Sequence, residues 1–255
     1  MSRWGEVLAP LILVALLIAA WEGACRVFAI APYLLPAPSA VAVAMIAGAP
    51  VLALAALRTL GMAMEALIAA SLFASLMALA VSLSRTLDRA IRPLAVALQV
   101  TPVIAIAPLF VIWAGVDHPE RAIVALAAIV AFFPIFSGAV SGLAAADPDL
   151  ERLFALYGAS PWQKLTRLRL PSAVPFILEG HKVAAGLAII GAVVAEFVAG
   201  SGGSQGLAWR ILEAGNRLQT AKMFAAIVAL AIMAAGLHFA FQAVERRALG
   251  VWRGR

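Results

Sequence analysis

Six stretches of this chain are each long and apolar enough to cross a bilayer, and that recurrence constrains the fold more than any other feature. A helix rises about 1.5 Å per residue, so roughly 20 apolar residues cover the hydrocarbon. On that rule the spans fall at 7–30, 59–83, 93–116, 121–144, 178–200 and 221–244. Lipid offers no hydrogen-bond partners, so such segments cross as helices that satisfy their own backbone. The expected fold is an all-α membrane protein of about six transmembrane helices, with 1–255 forming a single transmembrane domain. Composition agrees: 64% of residues are hydrophobic and 13% charged, against about 25% charged in soluble domains.

The first run imitates a secretory signal. Arg3 precedes an apolar stretch from Val7 to Ala20, and Gly23-Ala24-Cys25 resembles a lipoprotein cleavage site. Glu22 stands where such a site takes a small or apolar residue, and the apolar run resumes at Val27, Phe28 and Ile30, so a retained first helix is expected. After it, Pro32, Pro36 and Pro38 forbid a continuous helix. Residues 31–57 read as an outer proline-rich segment followed by a helix, 40–57, along the interface.

Basic residues orient the spans. With the N-terminus in the cytosol, thirteen Lys and Arg lie inside: Arg3, Arg85, Arg89, Arg92, Arg152, Lys164, Arg167, Arg169, Lys182, Arg246, Arg247, Arg253 and Arg255. Six lie outside: Arg26, Arg58, Arg121, Arg210, Arg217 and Lys222. Both termini are therefore expected in the cytosol. The net charge of +6 reads as loops facing anionic headgroups, not as nucleic-acid binding. A single cysteine, Cys25, excludes an internal disulfide, and His118, His181 and His238 have no metal-ligand spacing.

The longest polar insertion, 147–175, falls on the cytosolic side. Asp147 is a helix-capping residue type with Pro148 next, where proline is tolerated. A helix can run to Tyr157 and stop at Gly158, which takes the left-handed conformation freely. Ser160 can cap a second helix, again with proline following, and Pro171 and Pro175 are expected to break it before span five. The result is a helix–Gly–helix elbow presenting Leu153, Phe154, Leu156 and Trp162 beside cations. Local physics leaves two readings open: a surface that wants a partner, or a connector packed on the bundle's own end.

Here the residues resemble a known family. The loop is similar to the cytoplasmic loop of ABC-importer permeases, which reads Glu-Ala-Ala, three residues, Gly, then nine residues to Ile-x-Leu-Pro. Gly158-Ala159-Ser160 matches its centre and Leu168-Arg169-Leu170-Pro171 its end, with Asp147-Pro148 as the lead-in. Leu34-Leu35-Pro36-Ala37-Pro38-Ser39, the helix from Pro102 to Gly115, and Ala195-Glu196 followed by Gly200-Ser201-Gly202-Gly203-Ser204-Gln205-Gly206-Leu207 resemble the nitrate/sulfonate/taurine branch. One departure stands out: Arg152-Leu153-Phe154 occupies the Glu-Ala-Ala position, with Glu151 one residue early.

The resemblance implies a type I importer permease in a bacterial inner membrane. It implies an ATP-binding-cassette ATPase subunit gripping the loop, a second permease copy, and an extracytoplasmic solute-binding protein delivering a small anion such as a sulfonate, taurine or nitrate. The coupling surface it implies comprises Glu151, Arg152, Phe154, Tyr157, Gly158, Ala159, Ser160, Pro161, Trp162, Lys164, Leu170 and Pro171. Gln99, Thr101, Pro102 and Glu196 read as facing the translocation path; the alternatives are simple helix packing for Gln99 and Thr101 and a helix–helix hydrogen bond or salt bridge with a basic residue for Glu196.

No catalysis or cofactor is expected in this chain. It lacks the GxxxxGK[ST] loop that cradles ATP phosphates. Gly202-Gly203-Ser204-Gln205-Gly206 matches GxSxG, but it follows a membrane helix and not a strand, so a flexible outer turn is the better reading than a membrane protease using His238. The runner-up function is a secondary transporter of six helices, which needs paired discontinuous helices in two halves; no such pairing is visible. Gly138-Ala139-Val140-Ser141-Gly142 has the spacing that lets two helices approach closely, within the subunit or across a dimer.

Overall fold

A computed structural model describes residues 3–115, 118–199 and 205–252, and the regular structure among them is entirely helical. The helices are α1 (Arg3–Val27), α2 (Pro38–Ala47), α3 (Ala49–Leu83), α4 (Arg85–Val100), α5 (Val103–Ala114), α6 (Pro119–Ala144), α7 (Pro148–Leu156), α8 (Pro161–Lys164), α9 (Leu170–Ala199), α10 (Leu207–Asn216) and α11 (Thr220–Trp252). Gly200–Ser204, which hold most of the GxSxG match, and Arg253 and Arg255 lie outside the described residues.

Five helical segments are long and apolar enough to span: Leu8–Val27, Ala49–Leu83, Pro119–Ala144, Pro161–Ala199 and Thr220–Gly250. The expected span at 93–116 is not one helix. Pro102 has no N–H to donate and pushes the preceding residue into extended backbone. Thr101 accordingly sits at φ −72°, ψ 127°, and the segment divides into α4 and α5. The expected helix at 40–57 also divides, at Gly48. Residues 49–58 open α3, whose second residue, Pro50, sits in the first turn where its missing N–H costs nothing. At 35 residues, α3 is about 52 Å long, well beyond the roughly 30 Å hydrocarbon layer.

The chain forms two compact units. Unit 1 comprises Met1–Arg58 and Gln205–Ile232. Within it, Glu22 of α1 accepts hydrogen bonds from the backbone N–H (3.0 Å) and hydroxyl (2.9 Å) of Ser39 and from Arg26 (2.8 Å). Its carboxylate thus takes up an N–H in the first turn of α2, which the helix itself leaves unpaired. Thr220 donates to the Pro32 carbonyl at 2.5 Å, Trp21 packs on Phe224 with ring centres 5.7 Å apart, and Arg58 donates to Gln205 at 2.8 Å.

Unit 2 comprises Thr59–Ser204 and Met233–Arg255. Its core is the close pairing of α6 with α9 through residues too small to hold the backbones apart. A Cβ built on Gly180 would lie 2.7 Å from the Pro134 carbonyl oxygen, one on Gly138 2.8 Å from that of Phe176, and one on Gly142 or Gly191 2.9 Å from the Cα of Ala173 or Ala127. The Gly138–Gly142 spacing therefore serves contact within the subunit, against α9. Ala131, Ala184, Ala188 and Ala192 are fully buried along the same pair, the pattern of helices that associate by backbone proximity. Lys182 of α9 is held by Glu179 on its own helix and by Glu245 of α11 at 3.1 Å.

Candidate functional site

The 147–171 segment of unit 2 folds as an elbow whose every turn has a local cause. The Asp147 carboxylate accepts the Asp149 N–H at 2.8 Å and caps α7. At the far end Gly158 adopts φ +66°. Its N–H donates to the Ala155 carbonyl (3.0 Å) and the Ala159 N–H to that of Phe154 (2.9 Å). That pair of bonds is the Schellman stop, which satisfies two orphan carbonyls at the helix end. Two residues later Ser160 starts the next helix with a reciprocal cap. Its hydroxyl accepts from the Gln163 N–H (3.2 Å), and its own N–H donates to the Gln163 side chain (2.8 Å).

The second arm does not break at the prolines. The helix from Pro161 passes through one wider, π-type turn, Leu165–Arg169, and continues to Ala199. In that turn the Leu170 N–H donates to the Leu165 carbonyl, five residues back. Such a turn absorbs an extra residue inside a helix. It does so where Pro171 offers no N–H and its ring crowds the carbonyl four residues earlier. Leu165 and Leu168 are buried, and Leu165 packs with Leu143 and Ala173. The foot of α9 is thereby seated on the end of α6.

A salt bridge joins the two arms. The Arg169 guanidinium donates to the Glu151 carboxylate at 2.6 Å, both side chains being about one-third exposed or less. This hydrogen bond holds the Glu151 carboxyl below the usual carboxylate range, against the opposing effect of burial. Arg152, at the family's glutamate position, points away into an exposed pair with Asp149 at 2.9 Å. Leu156, Tyr157 and Trp162 stand 84%, 83% and 66% exposed at the tip. Phe154, Ala159 and Lys164 are half-buried, while Ser160, Pro161, Leu170 and Pro171 are exposed.

The four residues assigned to a path are dispersed in their surroundings. Gln99 and Pro102 are exposed, and Thr101 donates its hydroxyl to the Ala97 carbonyl at 2.7 Å. Glu196 is completely buried in α9. An apolar cavity of about 250 Å³ lies between α5, α6 and α9, lined by Val103, Ala107, Leu126, Val130, Gly191 and Ala195 among others. None of the four path residues lines it. Sequence reasoning missed the role of Arg169, whose partner is 18 residues away. It also missed Gln163, although the Ser-x-x-Gln cap was there to be read.

These features define a polytopic helical membrane protein with a two-armed elbow on one end of its main helix pair. Comparison with known proteins names the family. Residues 70–250 match the model of the binding-protein-dependent transport system inner membrane component. A probable ABC transporter permease protein of Haemophilus influenzae is 31% identical over 234 residues, covering 92% of this chain and 94% of the relative. A formylaminopyrimidine transport permease protein of Halalkalibacterium halodurans is 32% identical over 215 residues, 82% of each chain. A putative aliphatic sulfonates transport permease protein of Bacillus subtilis is 32% identical over 156 residues, 61% of this chain and 54% of the relative. The chain belongs to the ABC-importer permease family, in its nitrate/sulfonate/taurine branch.

Proposed function

We propose that this chain is the translocating subunit of an ATP-driven importer for a small organic or inorganic anion such as a sulfonate, taurine or nitrate. An extracytoplasmic binding protein delivers the solute, and a second copy completes the path. A separate ATP-binding-cassette subunit hydrolyses ATP; this chain supplies no catalytic group and needs no cofactor. Both termini lie in the cytosol, α4 and α5 together make the sixth crossing, and 147–175 is the coupling loop.

The observation that carries this reading is the continuity of the second arm. From the Ser160 cap to Ala199 there is one helical segment of 39 residues, about 58 Å long. A displacement applied to its foot has no intervening loop in which to dissipate, and packed helices switch between discrete arrangements instead of deforming smoothly. The exposed Tyr157 and Trp162 supply the apolar anchors a docking partner uses. Isolation of the tagged chain from its native membrane in mild detergent tests the reading. A stoichiometric ATP-hydrolysing subunit is expected; a chain that moves solute down an ion gradient with no such subunit overturns it.

A further inference from the structure

Unit 1 holds a cleft that the coupling reading does not use. It measures about 440 Å³, within the range of pockets that hold small molecules. Part of its lining is apolar, from Ala44 and Ala47 of α2 and Val51 and Leu52 of α3. The lining also brings Arg210, Glu213, Arg217 and Lys222 together from α10, the turn after it and α11. Glu213 accepts from Arg210 at 2.9 Å and from Arg217 at 3.1 Å. Three cations and one carboxylate thus line the same cleft.

Arg210 carries the further sign. Its side chain is only 28% exposed, and its Nε is buried with no hydrogen-bond partner. A buried N–H on a cation is costly to leave unmade. An oxyanion in the cleft that draws the guanidinium outward supplies the charge-assisted bond this group lacks. The apolar part of the lining suits an aliphatic stem beside them.

We propose that this cleft binds an amphiphilic oxyanion: a sulfonate, carboxylate or phosphate-ester head on Arg210, Arg217 and Lys222, with its stem along Ala44, Val51 and Leu52. A free solute and the headgroup of an anionic lipid share this chemistry. The site stands on unit 1 alone and requires neither an ATPase nor the elbow.

The test uses the full chain in nanodiscs of zwitterionic phosphatidylcholine at low ionic strength. Calorimetric titration compares 1-hexanesulfonate with neutral 1-hexanol, after subtraction of empty discs. The expected result is saturable one-site binding of the sulfonate alone, weakened about tenfold by Arg217→Gln or Lys222→Gln and more by both. Both side chains are exposed, so these variants keep the fold. A second arm adds phosphatidylglycerol to the discs and reads lipid retained in native mass spectrometry. One retained phosphatidylglycerol that the double variant loses, and that suppresses sulfonate binding, assigns the site to lipid; sulfonate binding undiminished by phosphatidylglycerol assigns it to solute. No saturable binding of either anion, equal binding of hexanol, or binding unchanged in the double variant overturns the proposal. Those results leave co-purification of an ATPase untouched, so the two readings fail separately.

Discussion

Replacing Gly158 with valine perturbs the elbow and nothing else. The residue sits at φ +66° and an added Cβ meets no atom within 4 Å, so the penalty is in the backbone, not in crowding. A left-handed conformation costs an L-residue about 1–2 kcal/mol, and a β-branched side chain is a genuine outlier there. If valine escapes that region, the two stop bonds to Ala155 and Phe154 are lost, at about 0.5–1.5 kcal/mol each. By either route the native elbow is disfavoured by about 2 kcal/mol, a roughly thirtyfold shift in its local equilibrium. The α6–α9 core is untouched, so insertion and thermal stability are expected to stay near wild type while ATP-coupled uptake is abolished. Asparagine tolerates the left-handed region better than other L-residues, which predicts an uptake order of Gly, Asn, Ala, Val. The assay is solute uptake by proteoliposomes containing the ATPase and binding protein, normalised to inserted chain. Wild-type uptake by Gly158→Val, or equal uptake across the series, would refute the reasoning.

The Glu151–Arg169 bridge is partly exposed and adds less than about 1 kcal/mol. Because the folded carboxyl is shifted down, that contribution is complete at neutral pH and is lost as pH falls below the ordinary value of 4.5 through the lowered one; hydrogen exchange in α7 against pH reads it, and the Glu151→Gln variant should show no such acid step. Gly180→Leu sets a side chain against the Pro134 carbonyl and should destabilise the α6–α9 pair by about 3 kcal/mol or more, seen as a lowered melting temperature in detergent, whereas Gly186→Leu, in open space, should be near neutral. Leu218 ends α10 at φ +55° in the same kind of stop that Gly158 makes freely. Leu218→Gly should therefore raise thermal stability, by up to about 1 kcal/mol.

Spans are legible in a sequence because their signal is length and apolarity, which need no knowledge of neighbours. The elbow is legible for a similar reason: Asp147-Pro148, Gly158 and Ser160-Pro161 act through bonds to residues within five positions. What escaped reading depends on partners far along the chain. Pro102 and Pro171 are equally proline, yet one splits α4 from α5 and the other is absorbed in a π-type turn. The difference fits the burial of Leu165 against Leu143 and Ala173, which seats the second helix on the bundle. Gly138 and Gly142 announce a close approach but not its target, Gly180 and Ala173 on α9. The bond from Arg169 to Glu151 compounds this: the family's glutamate position holds Arg152, and the neighbouring carboxylate is engaged within the elbow.

Photo-cross-linking from residues 157 and 162 tests the central claim most directly. Single cysteines at these exposed tip positions, in a Cys25→Ala background and carrying a thiol-attached photoprobe, are expected to capture a nucleotide-hydrolysing subunit and to be labelled by impermeant reagents only from the cytosolic face. A matched cysteine at Phe197, 41% exposed near the other end of α9, should capture none. Absence of an ATPase from the tip adducts, or labelling of the tip from outside the cell, would contradict the account.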